Sequence, residues 1–186
     1  MKKNAPRVVD RRIERTRGAL RDALLYLLQD HSWDDIGVQE ICEHANIGRS
    51  TFYMHFQNKD ELLAHGFSDL RAMLGMQDGT KKEETTGQFP FLYGLIEHAG
   101  QHRKLFRSVI GRRSSHVVHM RFKEMVLQLF KDDLTYLSTT GWQREATAHF
   151  LAGALVQLLA WWVDAKIAIP REEIEQYFRK LALPEL

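Results

Sequence analysis

Between Ile36 and Phe56, apolar residues recur at helical spacing on both sides of a three-residue hinge, Asn46-Ile47-Gly48. Asparagine tolerates left-handed backbone angles and glycine adopts them freely, so the chain can change direction there within three or four residues. Upstream of the hinge, Ile36, Val38, Ile41, Cys42 and Ala45 make the inner face of a short helix. Downstream, Phe52 and Phe56 lie one helical turn apart and face inward from a second short helix, Arg49 to Phe56. Their neighbours Arg49, Ser50, Thr51, Tyr53 and His55 are left pointing out. A longer amphipathic helix precedes the pair, with Ile13, Leu20, Leu24, Leu27 and Leu28 on its apolar face between Arg11 and Asp30.

Two short helices joined by a tight turn and buttressed by a longer one describe a helix-turn-helix unit, whose second helix lies in the DNA major groove. The outward residue types suit that task. Arg49, Ser50 and Thr51 stand at the N-terminal end of the second helix, where side chains and backbone N–H groups meet base edges and phosphates. Tyr53 and His55, one turn further on, are short, stiff donors suited to fixing the helix against phosphate. Asn58 and Glu61 have capping-box spacing at the start of the next helix, and Lys59 there is a further candidate phosphate contact.

Charge is consistent with this reading once it is divided along the chain. The net charge is only +2, but residues 1–21 hold eight Lys/Arg against Asp10 and Glu14, and residues 98–123 hold seven against no acid. The rest of the chain is correspondingly acidic, so a nucleic-acid contact is expected to be confined to the N-terminal part. The single cysteine, Cys42, excludes an internal disulfide framework and a multi-thiolate metal site, and its position reads as core.

The string Gly48-Arg49-Ser50-Thr51-Phe52-Tyr53-Met54-His55-Phe56, followed by Asn58-Lys59-Asp60-Glu61-Leu62, resembles the DNA-binding domain of the tetracycline-repressor (TetR) family over about residues 12–64. The resemblance implies phosphate contacts from Tyr53, His55 and Lys59, and groove contacts from Arg49, Ser50 and Thr51. Three positions depart from the family pattern. Gly37 stands where Thr often begins the first helix of the pair, so it caps without offering a hydroxyl to phosphate. Gly48 replaces a Ser or Thr, and Met54 replaces a basic residue.

Downstream, a helix runs on through Phe67, Leu70 and Leu74, and the polar stretch from Gln77 to Gly87 reads as a loop and a boundary. Helical patterns follow from Phe89 to His102, from Leu105 to Ile110, and over residues 115–138. The last of these has two apolar stripes: Val118, Phe122, Met125 and Leu129, and Met120, Leu127, Phe130, Leu134 and Leu137. Residues 142–166 are more apolar still, and a final helix begins near Pro170. The run from Phe150 to Val163 is interrupted by Gln157 and reads as too short to span a bilayer, and the first residues lack the apolar stretch of a signal peptide.

The chain is therefore expected to be all-α, with about nine helices. The expected domains are a basic flexible arm (1–10), a helix-turn-helix domain (11–57), a connecting helix (58–76) and a ligand-binding and dimerisation domain (77–186). The two very apolar C-terminal helices carry more apolar surface than one small body needs, and pairing with a second copy would bury the excess, as the resemblance also implies. A symmetric pair of heads would then meet half-sites of a pseudo-palindromic operator in double-stranded DNA.

For a small-molecule effector, Phe91, Phe106, Met120, Phe122, Trp142 and Phe150 are candidate cavity residues, beside Tyr93, Met125 and Trp161. His98 and His102 at i, i+4, with His116 and His119 at i, i+3, pair on helix faces. They read as solvated residues, as a wall for an anionic ligand, or as a metal site, and no acid or cysteine nearby supports the last. No metal or cofactor is expected. No phosphate loop, H-E-x-x-H or G-x-S-x-G is present, which argues against an enzyme. The expectation is a cytoplasmic, ligand-responsive DNA-binding regulator, a repressor released from its operator by its effector. The alternative is a co-regulator of the same fold acting mainly through a protein partner.

Overall fold

The computed structural model describes residues 8–76, 89–112, 114–134 and 141–182. Among them are nine helices and no strand: α1 (Val8–Leu27), α2 (Val38–Ala45), α3 (Arg49–His55), α4 (Lys59–Met76), α5 (Phe91–Gln101), α6 (Arg103–Ile110), α7 (His116–Leu134), α8 (Trp142–Asp164) and α9 (Arg171–Ala182). The chain divides into two compact units, residues 1–66 and 67–186. The division falls within α4, which the expected boundaries assigned whole to a connector. Most of the expected arm and the polar stretch 77–87 lie outside the described residues, although α1 already begins at Val8.

The first unit closes around side chains from every one of its elements. Leu20, Ala23, Leu24, Leu27 and Leu28 of α1 meet Trp33 and Ile36 of the following loop, Ile41 and Cys42 of α2, Phe52 and Phe56, and Leu62 and Leu63 of α4. All are essentially excluded from water, and Phe52 is fully buried. Burying a side chain of this kind contributes about 1.5–3 kcal/mol, so a three-helix head this small depends on nearly all of them.

In the second unit α8 packs chiefly against α7 and α6, and α9 against α5 and α8. Val118, Phe122, Met125 and Leu129 of α7 are buried, as are Phe130 and Leu134 of its second stripe. Met120 of that stripe is half exposed instead, and Leu137 lies outside the described residues. Gly100 lets α5 approach α8, because a Cβ there would stand 3.1 Å from the Trp162 ring. At 23 residues, α8 is long and apolar enough by length and composition to cross a membrane, where the sequence suggested a shorter run. Ala148, Leu151, Ala152, Leu155, Val156, Leu159, Trp162 and Val163 form its buried face, which is what the core helix of a helical body requires.

Candidate nucleic-acid interface

The turn between α2 and α3 is made by Asn46, whose φ of 54° and ψ of 44° place it in the left-handed region. Ile47 N–H donates to the Cys42 carbonyl at 2.9 Å and Asn46 N–H to Glu43 at 3.1 Å, the paired closure that ends a helix sharply. Gly48 is extended (φ −66°, ψ 144°), so the asparagine rather than the glycine supplies the unusual backbone angle. Gly37 and Gly48 cap α2 and α3 in extended backbone without a side-chain hydrogen bond.

Phe52 and Phe56 anchor α3 from below, with ring centroids 5.9 Å apart. The opposite ridge is thereby turned to solvent. Arg49, Ser50 and Met54 are exposed, Tyr53 is 52% exposed, and Thr51 and His55 are half-buried at its edges. Tyr53 stands edge-on to Phe52 at 5.4 Å, which holds the phenol ring upright at the surface. On α1, Arg11, Arg12 and Arg15 are exposed, whereas Arg17 lies over the Phe56 ring at 5.9 Å and Arg21 pairs with Asp22.

Lys59 is placed differently from the expectation of a free phosphate contact. Its Nζ donates to the Trp33 carbonyl at 2.6 Å and the Ile36 carbonyl at 2.7 Å, and lies 4.6 Å from the Trp33 ring centroid. It ties α4 to the loop before α2. The capping box before α4 is present in altered form: Glu61 N–H donates to Asn58 Oδ1 at 2.9 Å, while the Glu61 carboxylate accepts from Gln57 N–H rather than from Asn58. Burial holds the Cys42 thiol above its ordinary pKa, as befits a core residue.

The candidate effector residues of the second unit fall into more than one cluster. Phe91 is buried in a ring cluster with Phe89 and Phe130, and Phe106 and Phe122 meet edge to face at 5.7 Å in another. Trp142 and Phe150 are 75% and 64% exposed, so neither lines an interior; each sits on the outer face of α8. His98 is half-buried against Phe106, and burial, helped by His102 at 4.5 Å, pushes its pKa down to about 4. His102 is exposed. His119 is also held low, by burial first and then by Lys123 and His116, and it lines a cleft with Arg107 and Arg112. A second cavity, of about 350 Å³, lies among Ser68, Arg71, Phe91, Leu129 and Asp132. Among the described residues no cluster of three or more His, Cys, Asp or Glu is arranged to hold a metal ion.

Sequence reasoning missed the pair Arg103 and Arg107. Arg103 donates to the Trp162, Val163 and Ala165 carbonyls at 2.7, 3.1 and 2.8 Å, and stacks on the Trp162 ring at 5.7 Å. Arg107 donates twice to Val163 and pairs with Asp164 at 3.5 Å. Together they donate to carbonyls at and just beyond the last turn of α8, where Trp162 also accepts from the Ala165 N–H at 3.2 Å. Their i, i+4 spacing on a helix without acids was the available signal, but their target lies some sixty residues away.

Two sequence models cover most of the chain: bacterial regulatory proteins of the tetR family over residues 20–65, and a transcriptional regulator C-terminal region over residues 88–183. The uncharacterized HTH-type transcriptional regulator YxbF of Bacillus subtilis (strain 168) is 23% identical over 168 residues. That alignment covers 88% of this chain but 43% of the relative, so the chain spans less than half the length of the curated relative it matches. Among solved structures, a TetR transcriptional regulator from Streptococcus agalactiae 2603V superposes with a TM-score of 0.67 at 24% identity, covering 93% of this chain and 96% of that one. Thermus thermophilus FadR, a transcriptional repressor in complex with lauroyl-CoA, superposes with a TM-score of 0.60 at 17% identity, covering 90% and 93%. At such identities these two likenesses concern the fold. With both sequence models matched in chain order, and the second alone spanning more than half of the residues, the chain belongs to the tetR family of bacterial regulatory proteins and is a transcriptional regulator rather than an enzyme.

Proposed function

We propose that this regulator is a cytoplasmic, homodimeric repressor that binds a pseudo-palindromic operator through α3 and leaves it when a small molecule occupies the second unit. The observation that carries the reading is the two-sidedness of α3: Phe52 and Phe56 lock one face into the core, and Arg49, Ser50, Thr51, Tyr53 and Met54 remain available to a duplex. Arg49, Ser50 and Thr51 face base edges; Tyr53 and His55 position the helix on phosphate; Gly37 admits the backbone at the start of α2. Lys59 supports the interface by bracing α4, with one N–H left for phosphate after its two carbonyl bonds.

The dimer reading rests on the outer face of α8. Phe150, Ala154, Gln157 and Trp161 follow one another at helical spacing, and the two aromatics are more than half exposed. Such a stripe with a small residue at its centre fits the same stripe of a second chain. Release requires that the effector bind the non-operator arrangement more tightly, since equal affinity for both states shifts nothing. That a relative of this fold is a repressor holding lauroyl-CoA supports a ligand-responsive body.

Selection of bound sequences from a random DNA pool tests the reading. The selected sites are expected to carry inverted half-sites. Tyr53→Ala is expected to weaken binding across all sequences, and Arg49→Ala and Thr51→Ala to change which bases are preferred. Salt-independent binding, or equal tolerance of all three changes, overturns it.

A further inference from the structure

Where the turn between α6 and α7 meets the last turns of α8, the second unit carries a cleft of about 1050 Å³. We propose that this cleft binds a small amphiphilic anion, with a carboxylate or phosphate head on an apolar body. One side is apolar, built from Ile110 and Ala160, with Trp161 at the rim where the cleft borders the α8 stripe assigned above to the second copy. The other carries Arg107, Arg112 and Lys166 against a single acid, Asp164.

The acid does not cancel the cations. Asp164 accepts from the Arg112 backbone N–H at 2.9 Å and pairs with Arg107 at 3.5 Å, so its charge is already met. The Arg112 guanidinium and the Lys166 ammonium form no ion pair with any described residue. An anionic head in the cleft meets two cations that no carboxylate among the described residues already pairs. Ser114 and His119 add hydrogen-bonding groups at the start of α7, and burial, with Lys123 and His116, holds the His119 pKa below its ordinary value.

The cleft has room for more than an inorganic ion. It lies at the upper end of the volumes taken by organic ligands, roughly 300–1,000 Å³, and Trp161 offers a flat apolar face at its rim. The turn that positions Arg112 is rigid: Gly111 N–H caps α6 on the Arg107 carbonyl at 3.0 Å, and a Cβ on Gly111 would stand 2.4 Å from that oxygen. Arg107 links the cleft to α8, because the guanidinium that lines it also holds the Val163 carbonyl at 3.0 Å. An anion drawn to Arg107 competes with that bond. The site thus names a chemical class for the effector, and for its regulatory meaning it rests on the ligand-responsive reading above.

Calorimetric titration of the full chain with octyl phosphate, octanoate, octanol and inorganic phosphate, each below micelle-forming concentration, tests the site directly. Octyl phosphate or octanoate is expected to bind once per chain, and the tighter of the two identifies the head. Octanol and inorganic phosphate are expected to bind at least roughly tenfold more weakly, each lacking one half of the recognition. The double variant Arg112→Gln, Lys166→Gln is expected to lose about tenfold in affinity for the anion with an unchanged melting temperature. Octanol binding as tightly as octanoate, an anion no tighter than inorganic phosphate, or a double variant with undiminished affinity each overturns the proposal. DNA binding by the same proteins is measured separately, so a failure of operator recognition leaves the measured anion affinity standing.

Discussion

Two segments of this chain are comparably basic, residues 1–21 and residues 98–123, yet the structure uses them in opposite ways. In the first unit Arg11, Arg12 and Arg15 remain exposed on α1, available to a polyanion. In the second, Arg103 and Arg107 are committed to carbonyls at the end of α8, while Arg112 lines the cleft beside them. A count of cations therefore says how much charge a segment holds, not how much a partner can reach. A guanidinium held by three carbonyls is a structural tie; the same group on an outer helix face is a contact waiting for phosphate.

The largest expected effect tests that contrast most severely. Arg103→Ala leaves the Ala165 carbonyl without its donor and removes one of the donors to Trp162 and Val163, which keep the Ala165 N–H and Arg107. With the lost stacking on Trp162 it is expected to cost about 2–3 kcal/mol in urea unfolding, with Arg103→Lys restoring only part because an ammonium lacks the planar fork. Arg12→Gln and Arg15→Gln are expected to change stability by no more than about 0.5 kcal/mol while lowering DNA affinity and its salt slope. If Arg103→Ala is as mild as Arg15→Gln, the contrast collapses.

Lys59 extends the comparison into the head itself. Lys59→Ala is expected to lower stability by about 1–3 kcal/mol, through two carbonyls left unsatisfied, and to reduce the salt slope by at most about one, through the N–H left for phosphate. A purely phosphate-contacting lysine would instead leave stability intact and reduce the salt slope by about one.

Acid unfolding sharpens the description of the body. His98, held at a pKa of about 4, stays neutral in the fold while the unfolded chain takes up a proton near 6.5. Its contribution is therefore fully present above pH 6.5 and is lost as pH falls from 6.5 towards 4. After allowance for partial exposure, the loss is expected to be about 1–2 kcal/mol, and His98→Gln is expected to flatten stability across that window. The smallest effect concerns the head's uncapped helices. A Cβ at Gly37 meets nothing nearer than Gln39 N at 4.0 Å, so Gly37→Ser is expected to stabilise the fold by a few tenths of a kcal/mol, read as a small rise in melting temperature.

The head is legible in the residues alone because its signals are local. The spacing of Phe52 and Phe56 settles which face of α3 turns inward, and Asn46 settles where the chain reverses; both follow from periodicities and backbone preferences contained within a dozen residues. The all-α class and the buried stripe of α7 were readable for the same reason. The body's details had to wait for the folded chain. Phe91, Phe106 and Phe122 are as apolar as Trp142 and Phe150, yet packing buries the first three and leaves the other two on the surface. Lys59, Arg103 and Arg107 look like free cations until carbonyls from distant segments are brought to them. The reason is physical: a side chain's direction is set by its own helix, but what it meets is set by chain closure over tens of residues, and that information is not carried by any single stretch of sequence.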